Sequence, residues 1–176
     1  MVCKTKGLAV NIRLAANLSV DSVVDGPGLR TVIWCQGCPH DCPECHNPHT
    51  HAVDGGFIKD ADEVVAEVLA VDMQSGVTFS GGEPMLQPES CAYIASKLKE
   101  KGRNIWCYTG FTFEQLLENP SCREFLQWID VLVDGQFMVD RKSYKLPFRG
   151  SANQRLILVQ ESLARQQIVC AEEGRE

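Results

Sequence analysis

The sequence predicts an α/β fold: a mostly parallel sheet with covering helices, rolled into a partial, open barrel. Segments of strand composition alternate along the chain with segments of helical apolar spacing. The middle strands are nearly continuous apolar runs, as a sheet covered on its faces requires. The strand–helix units are also too few to close a full eight-unit barrel. A chain of 176 residues suits one domain, expected over residues 1–170, with a polar tail from Ala171 to Glu176.

The first expected strand is Leu29 to Cys35, β-branched and aromatic, and it leads into a group of cysteines. A polar stretch ending at Gly55-Gly56 follows, and then Asp60 and Glu63 mark a helix start, with carboxylates near the positive end of the helix dipole. Val64, Val65, Val68 and Leu69 give that helix its apolar stripe. Gly76 to Ser80 reads as a strand running into Gly81-Gly82-Glu83-Pro84. From Pro88 to Lys101, residues Cys91, Ile94, Ala95 and Leu98 recur at helical spacing, and Gly102 stands where that helix stops. Asn104 to Tyr108 is the next strand, ending at Thr109-Gly110. Leu116, Leu117, Phe125 and Trp128 belong to a helical region that breaks at Asn119-Pro120. Asp130 to Asp134 and Arg155 to Val159 complete the strands. Ligands of such folds collect at the carboxyl ends of the strands, which is where the cysteines, the Ser80–Pro84 segment and Tyr108-Thr109-Gly110 all fall.

A net charge of −6, spread along the chain, argues against nucleic-acid or anionic-membrane partners, because both favour basic patches. No apolar run approaches the roughly 20 residues that span a bilayer. Met1 to Gly7 has basic residues but no apolar stretch behind them to make a secretory signal. The expected location is cytoplasmic.

Nine cysteines is an odd number, and Cys35, Cys38, Cys42 and Cys45 crowd into eleven residues, which a disulfide scaffold does not explain. Cys3, Cys91, Cys107, Cys122 and Cys170 are scattered singly and read as small buried apolar residues. Pro39, Pro43 and Gly37 keep the cysteine-rich segment from being helical, so its sulfurs project from a tight loop. Soft thiolates on such a loop suit zinc or an iron–sulfur cluster. A zinc ribbon separates its two cysteine pairs by about 15–20 residues, far more than this loop offers. An electron-transfer cluster on four thiolates stays open on spacing, although the usual run of that kind has its longer gap last. A site with three protein ligands would leave one metal position open, as catalytic centres do.

The spacing Cys38-x3-Cys42-x2-Cys45 resembles that of the radical S-adenosyl-L-methionine (radical SAM) superfamily. More of the chain resembles one family within it, the activating proteins of the anaerobic ribonucleoside-triphosphate reductase. The resemblance is carried by Asp25-Gly26-Pro27-Gly28-Leu29-Arg30, Gln36-Gly37-Cys38-Pro39-His40, Cys42-Pro43-Glu44-Cys45-His46-Asn47 and Ser80-Gly81-Gly82-Glu83-Pro84. Trp106-Cys107-Tyr108-Thr109-Gly110, Val131 to Phe137 and Arg149 to Arg155 extend it.

The resemblance implies a partial barrel of the radical SAM type with a [4Fe–4S] cluster on Cys38, Cys42 and Cys45. Cys35 is left out as core or near-site packing, and the open iron binds the amino and carboxylate groups of SAM. It also implies that Gly81, Gly82 and Glu83 hold the SAM methionyl amino group. Bare glycine backbone lets a ligand approach, and a carboxylate accepts from an ammonium. The plain alternative is a tight turn opening a helix at Pro84. Glu44, Cys45, His46 and Asn47 are expected beside SAM. Glu44 departs from the aromatic residue that many superfamily members carry there, so an adenine contact falls to backbone or to His46.

Asp134 reads equally as a ligand-orienting carboxylate or as a turn former before Gly135. Arg149 and Arg155 are read as partner contacts or solvated charges. The implied activity is reductive cleavage of SAM and formation of a glycyl radical on the reductase catalytic subunit, with no acid–base pair or nucleophile. A flavodoxin-type protein is the implied one-electron donor. The alternatives are a radical SAM enzyme acting on a small molecule and a non-enzymatic iron–sulfur electron carrier.

Overall fold

The computed structural model describes residues 9–171. In chain order the elements are β1 (Asn11–Leu14), β2 (Ser19–Ser22), β3 (Arg30–Cys35), β4 (Phe57–Asp60), α1 (Ala61–Leu69), β5 (Gly76–Gly81) and α2 (Pro88–Glu100). They continue with β6 (Asn104–Tyr108), α3 (Phe113–Glu118), α4 (Pro120–Leu126), β7 (Val131–Asp134), β8 (Arg155–Leu158) and α5 (Val159–Arg165). One sheet runs β4-β1-β3-β5-β6-β7-β8, with β2 also paired to β3. Its four central strands, β3, β5, β6 and β7, are parallel, and the outer ones pair antiparallel. The sheet is not closed: β4 and β8 stand at its two ends.

The alternation of side chains along each central strand assigns the two faces. Ile33, Cys35, Val77, Phe79, Ile105, Cys107 and Leu132 pack with the buried faces of α1, α2, α3 and α4 in the main core. Phe79 meets Phe125 of α4 edge-on, with ring centroids 5.2 Å apart. On the opposite face, Trp106, Val131, Val133 and Leu156 form a second cluster that receives Phe148. Arg30 stands at the amino end of this face and is fully buried, with no carboxylate among the described residues bonded to it. Its guanidinium donates to Thr78 Oγ1 (2.7 Å), to the Val77 carbonyl (2.8 Å) and to Asn104, and lies 5.4 Å from the Trp106 ring. Burial holds its pKa down at about 10. The amino ends of the strands are thereby filled, and the carboxyl ends are left to form a site.

Helix signals in the sequence act as expected. The Asp60 carboxylate caps α1, accepting from the Asp62 and Glu63 N–H groups at 2.8 and 3.3 Å. The helical region around Asn119-Pro120 does break, into α3 and α4. Asn119 Oδ1 caps the second helix, accepting from Ser121 N at 3.0 Å and Cys122 N at 3.3 Å. Asn119→Ala is expected to cost about 1 kcal/mol, a fall in melting temperature of about 2–4 °C, read by thermal denaturation.

Several elements differ from expectation. β1, β2 and β4 are strands that composition does not announce: each spans four residues, and their pairing with one another or with β3 supplies the hydrogen bonds. β8 runs antiparallel to β7, because the connection between them carries no α-helix to return the chain in parallel. Val159 opens α5 instead of ending a strand. Cys91, Cys107 and Cys122 are buried as expected, but Cys170 is exposed, and Cys3 lies outside the described residues. Ala171 is not frayed: its N–H donates to the Leu156 carbonyl at 2.8 Å. The rest of the expected tail, and Met1 to Gly7, lie outside the described residues. Among the described residues no helix is long and apolar enough to cross a membrane.

Candidate active site

β3 delivers the chain to the carboxyl edge of the sheet, where Cys38 to Cys45 form a loop without regular structure. Asp41 (φ 44°) and Glu44 (φ 54°) take left-handed backbone there, which tightens the loop around its sulfurs. Its entry is fixed by Gly37 N donating to the Thr50 carbonyl (2.8 Å) and Cys38 N to that of His51 (3.1 Å).

Cys45 Sγ accepts the Asn47 N–H at 3.4 Å, and the backbone at His40 and Phe137 favours the charged forms of Cys38 and Cys42. Such donors stabilise sulfur-borne negative charge and tune a metal centre bound to it. Burial raises the Cys38 and Cys42 thiols above their ordinary pKa, so without a metal centre these two are protonated at neutral pH.

Cys38, Cys42 and Cys45 face a cavity of about 610 Å³. The same cavity is lined by Ser80, Gly81 and Gly82 after β5 and by Tyr108, Thr109 and Gly110 after β6. The three motifs that the sequence places at strand ends therefore meet. Over the second face the segment around Phe148 is fastened by the Tyr108 hydroxyl, which donates to the Phe148 carbonyl at 2.9 Å. Gln154 fixes the Arg149–Arg155 turn, accepting from Gly150 N (2.9 Å) and Ser151 N (3.2 Å) while donating to the Gly135 carbonyl (3.0 Å).

The donor set fits an iron–sulfur cluster better than a single ion. Among the described residues no three His, Cys, Asp or Glu side chains converge closely enough to hold one metal ion. Three thiols that line one roomy cavity suit a larger thiolate-bound body. Matching to known families agrees: residues 24–157 match the family described as a 4Fe-4S single cluster domain.

Similar proteins extend over most of the chain. A Salmonella typhi protein is 34% identical over 141 residues, covering 75% of this chain and 90% of its own length. One from Escherichia coli gives the same identity and coverage, and one from Vibrio cholerae is 34% identical over 140 residues, covering 75% and 89%. All three are named anaerobic ribonucleoside-triphosphate reductase-activating protein. The chain belongs to that family. Among solved structures, QueE from Escherichia coli aligns over 58% of this chain and 54% of its own, with a TM-score of 0.48 and 17% identity, too distant to bear on function.

Against this family background the expected site residues divide. His46 and Asn47 line the cavity with the cysteines, and the His46 ring lies 5.0 Å from that of Phe137. Glu44 is exposed and does not line it. Gly81 and Gly82 line it, and they also fasten β5 to the cluster loop: Gly82 N donates to the Cys35 carbonyl (2.8 Å) and Glu83 N to that of Gly37 (2.7 Å). Glu83 is fully buried behind the cavity wall. Its Oε1 accepts from Met85 N and Thr109 Oγ1, both at 2.9 Å; its Oε2 meets His40 Nε2 at 2.9 Å and accepts from Gly110 N at 2.8 Å.

Cys35 points to the opposite face of the sheet, its Sγ 3.9 Å from Cys91 Sγ within the helix-side core. Asp134 is fully buried and structural, accepting from Phe113 N at 2.8 Å and from Arg155. Arg155 also reaches Glu114 at 2.8 Å, so it is an internal strut. The carboxylate of Glu114 is held down at about pKa 2, chiefly by its hydrogen bonds from Arg155. His40 and Phe137 carry no signal of their own in the sequence, and Thr109 none beyond its place in a strand-end motif; the folded contacts show what they do.

Proposed function

We propose that this chain is a radical SAM activase that carries a [4Fe–4S] cluster on Cys38, Cys42 and Cys45, cleaves SAM reductively and installs a glycyl radical on an anaerobic ribonucleoside-triphosphate reductase. The observation that carries this is that three thiols, with no fourth among the described residues, open onto one cavity together with the Gly81-Gly82 turn. A cluster held by Cys38, Cys42 and Cys45 would supply the one electron that reductive cleavage of the SAM C–S bond needs, the chemistry by which methionine would be released and a hydrogen atom removed from a reductase glycine.

The chain's own residues do the holding. The Asn47 N–H and the backbone at His40 and Phe137 steady the ligand sulfurs. Gly81 and Gly82 present bare backbone to the same cavity and would receive the SAM amino group there, and His46 and Asn47, which also line it, would contact the rest of the molecule. Trp34, Tyr108, Phe137 and Phe148 line the same cavity with ring surface, which would limit water at the site once a ligand fills it. Glu83 supports the cavity wall from behind. An external one-electron donor, of flavodoxin type, completes the reaction.

Anaerobic reconstitution followed by EPR of the reduced protein tests the reading. SAM should change the cluster signal, and 5′-deoxyadenosine should be released when a reductant is supplied. A signal indifferent to SAM would leave an electron carrier instead. SAM cleavage without a glycyl radical on an added anaerobic reductase would remove the partner assignment.

A further inference from the structure

We infer that His40 is a positioning residue that sets the cluster loop against the SAM seat, with Glu83 as its anchor. The inference rests on the SAM-cleaving reading above. His40 lies between two of the three ligand cysteines, and its side chain is only 11% exposed. The ring does not face solvent like an ordinary loop histidine; it crosses to the ends of three other strands.

Nε2 meets the Glu83 carboxylate at 2.9 Å, after β5. Nδ1 faces the Gln136 amide nitrogen at 3.1 Å, after β7. The ring packs edge-on against Phe111, after β6, with centroids 4.5 Å apart. With Gln136 donating to Nδ1, the ring carries its proton on Nε2 and donates it to Glu83. His40 and Gly110 both line the cluster cavity and a second one on the far side, bounded by Thr112, Glu114 and Gln136, so the imidazole is part of the wall between them.

Two further details show that this arrangement is built. All hydrogen-bonding sites of the Glu83 carboxylate have protein partners, and Glu83 does not line the cavity. In this arrangement it serves His40 and the Thr109-Gly110 turn, and an ammonium could reach it only by displacing one of them. Gly110 has no side chain where one would collide with the ring: a Cβ there would lie 2.4 Å from His40 Cδ2 and 2.5 Å from Nε2. Three strand ends thus grip one imidazole, and the imidazole holds the stretch between Cys38 and Cys42. The same Glu83 follows Gly81-Gly82 in the chain, so one contact ties the cluster to the SAM seat. SAM must meet both at once, and a shift of about 1 Å between them is expected to be costly.

The test uses full-length protein reconstituted anaerobically as parent, His40→Ala, His40→Gln and Gly110→Ala, with iron content, SAM affinity by equilibrium binding, and EPR with and without SAM. His40→Ala is expected to keep its iron but to bind SAM about tenfold or more weakly, with the SAM-induced EPR change lost at concentrations that saturate the parent. His40→Gln, which can still donate to Glu83, should recover most of the affinity. Gly110→Ala, which leaves His40 present but displaces it, should resemble His40→Ala. Parental SAM affinity and EPR response in both His40→Ala and Gly110→Ala would overturn the inference. So would a loss of SAM binding that merely follows loss of iron, since His40 would then only pack the loop. If His40→Ala does not fold, His40→Gln and Gly110→Ala decide by the same readouts. A parent that binds no SAM would overturn the functional reading itself, and the His40 inference with it.

Discussion

Replacing Cys38, Cys42 or Cys45 singly by alanine is expected to lower cluster content and SAM cleavage more than about 100-fold, while Cys35→Ala leaves both near parental. Cys35 shares a short stretch with the three proposed ligands, and counting thiols alone would make it a fourth. It is the last residue of β3, however, and strand alternation turns its side chain toward the helices. There it sits 3.9 Å from Cys91 Sγ, fully buried, with β3 itself between it and the cavity. Iron and sulfide analysis, visible absorbance and 5′-deoxyadenosine release read the outcome. If Cys35→Ala lost the cluster, a four-thiolate site would follow and the open metal position would be gone.

The second large effect belongs to Gly82→Ala. A Cβ at Gly82 would lie 2.3 Å from the Gly37 carbonyl oxygen and 2.9 Å from that of Thr50, both backbone atoms that cannot swing aside. The hydrogen bonds from Gly82 N to Cys35 and from Glu83 N to Gly37 depend on that closeness. Overpacking and loss of these bonds together are expected to cost on the order of 3 kcal/mol. SAM cleavage should fall further than stability alone explains, because the cluster loop moves with Gly37. Gly102→Ala is the control: φ is +73° but nothing lies within 4 Å of its Cβ position. It should cost about 1 kcal/mol of backbone strain and leave SAM cleavage untouched. Chemical denaturation and a cleavage assay separate the two. Parental behaviour of Gly82→Ala would mean that the two loops are not in contact.

Much of this was legible along the chain. Apolar runs such as Val131-Leu132-Val133 specify buried central strands because a parallel sheet is covered on both faces. Asp60, Asn119 and Gly102 mark helix ends because unpaired backbone groups there need caps or left-handed geometry. Soft thiolates on a tight loop narrowed the metal centre to zinc or an iron–sulfur cluster, and the resemblance of the Cys38-x3-Cys42-x2-Cys45 spacing to the radical SAM superfamily pointed to the cluster. β1 and β4 were not legible: Ile12 and Leu14 alternate over only four residues, and the pairing of Ile12 with Lys59 supplies the rest of the signal.

What the sequence determined by itself was therefore local: the strands and helices of the centre, the three-motif site at their carboxyl ends, and the kind of cofactor it suits. Composition and spacing act over a few residues and suffice for that. The tertiary structure alone decided that Cys35 faces away, that Asp134 and Arg155 brace the fold, and that Glu83 bonds His40, Met85, Thr109 and Gly110. Those outcomes depend on partners far apart in the chain, such as His40 with Glu83 43 positions on and with Gln136 96 positions on. No short pattern encodes such a meeting; packing the sheet brings its strand ends together.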